Sequence, residues 1–214
     1  MYNITKTDIF RGCLIASISH AIMVNIYPEL SYEQSWDGAN YSIQNASGMR
    51  GTITFDNDFC VGAIRDEKSN FAVFGDAIQE QMKSFPLNIV HKAYEEAFQY
   101  LLVERNGIAT PCVTSVFWAN HTALYYEEEI ADHIKNDFTL FGNIILPKEK
   151  AVEKWKEYYG METKVVQLIN VLFQMKANDF FSTIELSKKH KELIPGAYIN
   201  NECTEALKEL NIIL

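Results

Sequence analysis

The sequence has no Cys-x-x-Cys pair. Its four cysteines, Cys13, Cys60, Cys112 and Cys203, are scattered along 214 residues. That spacing offers neither a zinc knuckle nor a disulfide framework, and the four read as separate buried thiols. Equally missing are a Gly-rich phosphate loop, a dinucleotide fingerprint and a Gly-x-Ser-x-Gly nucleophile elbow. No cofactor is expected on that basis. Long apolar runs are missing too. The richest early stretch, Cys13–Ile26, is interrupted by Ser17, Ser19 and His20 and is too short and polar to span a bilayer. The first ten residues, MYNITKTDIF, lack the basic-then-apolar layout of a secretory signal, so the reading is a soluble chain in the cytoplasm with no membrane association.

What is present is ordinary globular composition, 48% hydrophobic and 22% charged, which is enough to bury a core. The net charge of −9 is unevenly spread. Residues 1–146 hold nine basic against eighteen acidic side chains, and residues 147–214 hold ten of each. An acidic surface repels phosphate backbones, so no nucleic-acid partner is expected. Lys148, Lys150, Lys154 and Lys156 alternate with Glu149, Glu153 and Glu157 in the manner of a salt-bridged helix face. The change of charge balance and of period near residue 146 suggests two parts, an α+β domain over 1–146 and a helical subdomain over 147–214.

Residues 7–26 read as a helix with apolar residues on most sides, ended by Pro28. Ser35–Asp66 follows as an antiparallel meander, with strands near Tyr41–Gln44, Met49–Phe55 and Phe59–Ile64 and a further short one at Phe71–Phe74. In the middle strand Met49, Gly51, Ile53 and Phe55 share one face and Arg50, Thr52 and Thr54 the other. A half-buried sheet would leave the second face open. A short helix is predicted over Asp76–Ser84. Pro86 opens a longer one with an apolar stripe, which Gly107 is expected to cap. Cys112–Trp118 reads as a strand, Ala123–Tyr126 as its hairpin partner, Glu128–Asn136 as a helix and Phe138–Leu146 as another strand, with a helix as the alternative. From Pro147 onward the pattern predicts helices throughout: Lys148–Tyr159, Val165–Met175, Asp179–His190 and Glu202–Leu210. The fold class expected is α+β, an antiparallel or mixed sheet of about five strands packed on helices, with a helical C-terminal portion.

Few residues suggest chemistry. Cys13 and His20 lie two helical turns apart, about 10.5 Å, too far for a thiol–imidazole hydrogen bond. A thiol hydrolase would therefore pair Cys13 with a remote histidine such as His121. Glu129, His133 and Asp137 stack along one helix face but span two turns and do not converge on one ion, so no metal site is expected. The more promising candidates are binding residues: Arg50, Thr52 and Thr54 on the open strand face, flanked by Trp36 and Asp37. The expectation is an acidic, non-catalytic protein that binds a basic protein partner by electrostatic steering, of immunity or antitoxin type. The alternatives are a thiol-dependent hydrolase using Cys13, and a small-molecule sensor with a pocket beside Tyr94.

Overall fold

The computed structural model describes residues 4–214, apart from the side chains of Glu129, Asp132 and His133. The chain opens with α1 (Lys6–Met23), then β1 (Gln34–Asp37), β2 (Asn40–Gln44), β3 (Met49–Phe55), β4 (Phe59–Asp66) and β5 (Val73–Phe74). Next come α2 (Leu87–Glu95), β6 (Leu102–Arg105), β7 (Ile108–Val113), β8 (Ser115–Asn120), β9 (Leu124–Tyr125) and α3 (Ala131–Asp137). The remainder is α4 (Lys148–Tyr159), α5 (Thr163–Asn178), β10 (Ile184–Glu185), α6 (Lys188–Lys191), α7 (Asn201–Glu209) and β11 (Ile212–Ile213). This is an α+β protein built on an antiparallel sheet, with helices concentrated towards the C-terminal end. No helix among the described residues is long and apolar enough to cross a membrane.

By packing, the chain divides into two compact units. One holds the residues up to Thr7 together with Ala39–Gly142, and the other holds Asp8–Gly38 with Asn143–Leu214. The break after Gly142 lies four residues before the change of pattern near 146. The linear reading kept Asp8–Gly38 with the first part, whereas by packing that segment joins the C-terminal helices.

In the first unit five antiparallel strands lie in the order β2-β3-β4-β8-β9. The expected meander is there, because each turn is built by its own polar residues. Asn45 Oδ1 accepts from the backbone N–H groups of Ser47 at 3.0 Å and Met49 at 3.2 Å. The other turn is closed by Asp56, which accepts from the Asn57 N–H at 2.6 Å.

Both faces of this sheet are covered, contrary to the open face expected from alternation. Thr52 pairs with Ala63 and Thr54 with Val61, so these four share a face. On that face Phe59, Val61, Ala63 and Val116 form a core cluster with Ile78, Met82, Phe85, Ile89, Ala93, Ala97 and Phe98. The stripe of α2 and the 3-10 turns on either side of it thus covers the positions that alternation left open. On the opposite face Phe117 packs against Phe138 and Phe141, with ring centroids 4.9 and 5.8 Å apart. Glycine is required there. A Cβ on Gly62 would lie 2.2 Å from the Phe117 ring, and one on Gly51 would lie 2.5 Å from Phe141.

Several predicted elements are corrected. The helix from Pro86 stops at Glu95 and does not reach Gly107. Asn106 and Gly107 both adopt positive φ, 55° and 77°, and form the two-residue turn of the β6–β7 hairpin. At Tyr94, beside which a pocket was expected, the ring meets Phe98 edge-on at 4.9 Å and the hydroxyl donates to the Gly75 carbonyl. The strand over Cys112–Trp118 is broken at Thr114. β7 pairs with β5 and β6, and β8 pairs with β4. At the break, the Thr114 hydroxyl donates to Asp137 at 2.8 Å, and the Ser115 hydroxyl donates to the same carboxylate. Phe138–Leu146 is not a strand but a series of turns that presents Phe138 and Phe141 to the sheet.

In the second unit α1, from Asp8 onward, is buried on nearly every side, as its composition implies. A Cβ on Gly12 would sit 1.7 Å from the Ile144 carbonyl oxygen. Gly160 ends α4 in the left-handed conformation with φ 63°, just after the predicted span Lys148–Tyr159. The predicted helix over Asp179–His190 does not form. Asp179 accepts from the N–H groups of Phe181 and Ser182, which starts a turn, and β10 then pairs in parallel with β11. The second unit is therefore not helical throughout.

Gly62→Ala is expected to cost about 2–3 kcal/mol by forcing the Phe117 ring aside. Gly107→Ala has open space around it and should cost only about 1 kcal/mol, through its positive φ. Urea unfolding of the two variants tests this order, and equal midpoints would overturn it.

Candidate functional site

The residues singled out by sequence do not form one site. Trp36 is 4% exposed. Its ring lies 4.6 Å from Phe180 and 6.1 Å from Phe10, and its indole N–H donates to the Gly38 carbonyl. It is therefore a core anchor, not a surface contact. Thr52 and Thr54 are fully buried. Thr54 donates to Asn40, Asn40 donates to Glu96, and Lys92 bridges Glu96 and Asp56, so this threonine holds one end of the sheet. Of the five binding candidates only Asp37 and Arg50 are exposed, the first in the second unit and the second in the other. Cys13 is fully buried within α1, which gives a substrate no route to its thiol. His121 is exposed at the β8–β9 turn. Of the suggested metal-ligand stack, the side chains of Glu129 and His133 lie outside the described residues. Asp137 is buried and engaged by Thr114 and Ser115.

Among the described residues a cluster of perturbed ionisable groups lies in the second unit, around α4 residues that the sequence reading did not single out. On α4, Trp155, Tyr158 and Tyr159 stand at i, i+3 and i+4 and so share a face. Tyr159 is at its centre. Tyr158 meets it edge-on at 4.6 Å, and Trp155 and Tyr27 stack on it at 5.9 and 6.4 Å. The Tyr159 hydroxyl lies 3.0 Å from Nδ1 of His20, which α1 delivers 139 positions earlier in the chain. The turn before β1 supplies Glu33, and the first residue of β1 is Gln34. Both carboxylate oxygens of Glu33 accept from the Tyr158 hydroxyl, each at 2.9 Å.

Desolvation dominates the electrostatics here. Burial lowers His20 to about 4, and the Ser31 carbonyl only partly opposes it, so the imidazole is neutral at pH 7. Tyr158 is raised to about 12, first by burial and then by Glu33, and so remains a hydrogen-bond donor. Burial also raises Tyr159, whose phenol stays protonated. Glu33 is raised by burial against the opposing hydrogen bond from Tyr158, and Glu209 by burial against its bond from the Trp36 N–H.

Beside these groups lies a cavity of about 10 Å³, lined by Ser17, His20, Gln34, Trp36 and Glu209 among others. It has the size of a single water molecule. His20 Nε2 finds no hydrogen-bond partner among the described residues. The inner half of the cluster therefore pairs a neutral imidazole with a phenol but lacks the volume for a substrate. The outer half differs, because Tyr32 and Tyr158 are each about half exposed beside Glu33. The i, i+3, i+4 aromatics were visible in the sequence. Their meeting with Glu33, 125 positions away from Tyr158, was not.

Among the described residues no group of three His, Cys, Asp or Glu side chains is placed to hold a metal ion. The chain matches no known family model, no curated protein and no solved structure.

Two outcomes are expected. Unfolded His20 protonates near pH 6.5 and the folded residue only near 4, so its contribution to stability is complete above 6.5 and is lost as pH falls to about 4. The shift corresponds to about 3 kcal/mol. Glu33 and Glu209 act in the opposite sense, so the measurement is the difference between wild type and His20→Gln. Urea midpoints at pH 7 and 4.5 should show a flatter acid limb in the variant, and parallel limbs would refute the assignment. The four cysteines are all buried, with Cys60 and Cys203 pushed up to about 12 by burial. A disulfide reagent should therefore titrate them only upon unfolding. Rapid modification of Cys13 in the native protein would reopen the thiol reading.

Proposed function

We propose that this chain is a cytoplasmic, non-catalytic binding protein that recognises a basic protein partner, in the manner of an immunity or antitoxin protein that neutralises a cationic toxin. The observation that carries this reading is the contrast within the tyrosine–histidine cluster. Its interior has room for one water, while its outer edge offers two half-exposed tyrosines and a carboxylate. Tyrosines of this kind, backed by a packed core, are what protein interfaces use as anchors. The charge of −9 supplies the long-range part, speeding encounter with a cationic surface.

The test is affinity capture from the protein's own cells at about 50 mM salt, followed by elution with increasing salt. A basic protein that releases as salt rises towards about 1 M, where screening extends to a few ångströms, is the expected result. Recovery of no partner, or of an acidic one whose retention ignores salt, would sink the reading.

A further inference from the structure

We propose that Tyr32, Glu33 and Tyr158 form a receptor for an arginine side chain of the basic partner. This inference rests on the function proposed above and names the chemistry of its central contact.

Glu33 has unfilled hydrogen-bonding capacity. The residue is 9% exposed, yet among the described residues its carboxylate receives one donor, the Tyr158 hydroxyl, whose single proton is shared by both oxygens. A carboxylate offers about four acceptor positions. No lysine, arginine or histidine among the described residues pairs with it. A shielded anion with one neutral donor is a costly arrangement in the free protein, and a cation delivered by a partner would relieve it.

The surroundings also fit a planar cation. Tyr158 and Tyr32 are 52% and 50% exposed, the first bonded to Glu33 and the second its neighbour in the chain. A guanidinium is planar. It can lie against a phenol ring while its paired N–H groups face both oxygens of a carboxylate, whereas an ammonium is a strongly hydrated point charge that does neither as well. Arginine is thus the better match.

The site is also rigid. Tyr158 stands edge-on to both Tyr159, at 4.6 Å and 81°, and Trp155, at 5.7 Å and 89°. A side chain braced on two sides loses little freedom when a partner docks, which is the condition under which one contact carries much of the binding energy.

The experiment titrates three peptides into the purified full-length chain: acetyl-Gly-Arg-Gly-amide, its lysine counterpart and its citrulline counterpart. Citrulline keeps the shape of arginine without the charge. Carbon-13 NMR of labelled Glu and Tyr side chains reads the site. The arginine peptide should shift the Glu33 carboxyl and the Tyr32 and Tyr158 ring signals, the lysine peptide should bind several-fold more weakly, and citrulline should not bind. Glu33→Gln should weaken arginine binding by about tenfold or more, as expected of an interface anchor, without lowering the melting temperature. Tyr158→Ala should weaken it comparably. Equal binding of the arginine and lysine peptides, shifts confined to other residues, or undiminished binding by Glu33→Gln would each overturn the receptor. The two readings separate cleanly. A basic partner still captured at full strength by Glu33→Gln refutes the receptor and leaves the function standing. Arginine binding at Glu33 with no basic partner recovered from cells refutes the function and leaves the receptor.

Discussion

Gly62 lies directly beneath the ring of Phe117, and Gly51 beneath that of Phe141, and the sheet of the first unit depends on that fit. Removing two side chains from adjacent strands opens a hollow in one face, and three phenylalanines close over it. With that face sealed by rings and the other by α2 and its flanking 3-10 turns, the strands become buried on both sides. Polar groups caught inside then need partners. Asp137 takes the hydroxyls of Thr114 and Ser115, and Asn40 takes that of Thr54. Thr54, which looked available for binding, is therefore spent on holding the sheet, and Thr52 is buried beside it.

The second unit treats its polar residues differently. His20, Tyr159 and Glu209 are drawn inward beside Gln34, where desolvation moves the proton equilibria of the three ionisable groups and leaves almost no free volume. Shifted ionisation at a cluster of this kind is a common mark of catalysis, but it arises equally wherever polar groups are packed without water. The cavity at this cluster holds about one water. The same packing braces Tyr158 at the surface, which is the arrangement the proposed recognition role uses.

Much of the local structure was legible in the chain. The meander strands follow from alternating apolar residues between Asx-type turns. α1, α4, α5 and α7 follow from their apolar faces, and the end of α4 from Gly160. Other stretches misled for identifiable reasons. The stripe of α2 continues through Phe98 and Leu101, which concealed the Asn106-Gly107 turn. Phe138–Leu146 has strand composition, but its rings are used as a plug. Asp179 resembles an ordinary helix residue until its side chain bonds the backbone ahead of it. The candidate site was the least legible part. Tyr158 and Tyr159 were visible as α4 residues, but nothing in either stretch indicates that Glu33 or His20 will meet them.

By itself the sequence determined the fold class, the acidic character, most helices and the meander, because periodicity, turn chemistry and charge are properties of neighbouring residues. Only the tertiary structure decided which faces are closed, that Asp8–Gly38 packs with the C-terminal helices, and that Glu33, Tyr158, Tyr159 and His20 come together. Those outcomes depend on contacts between residues far apart in the chain, from tens of positions in the first unit to 125 and 139 in the second, and such contacts are set by how whole elements share one interior, not by the order of residues within any of them.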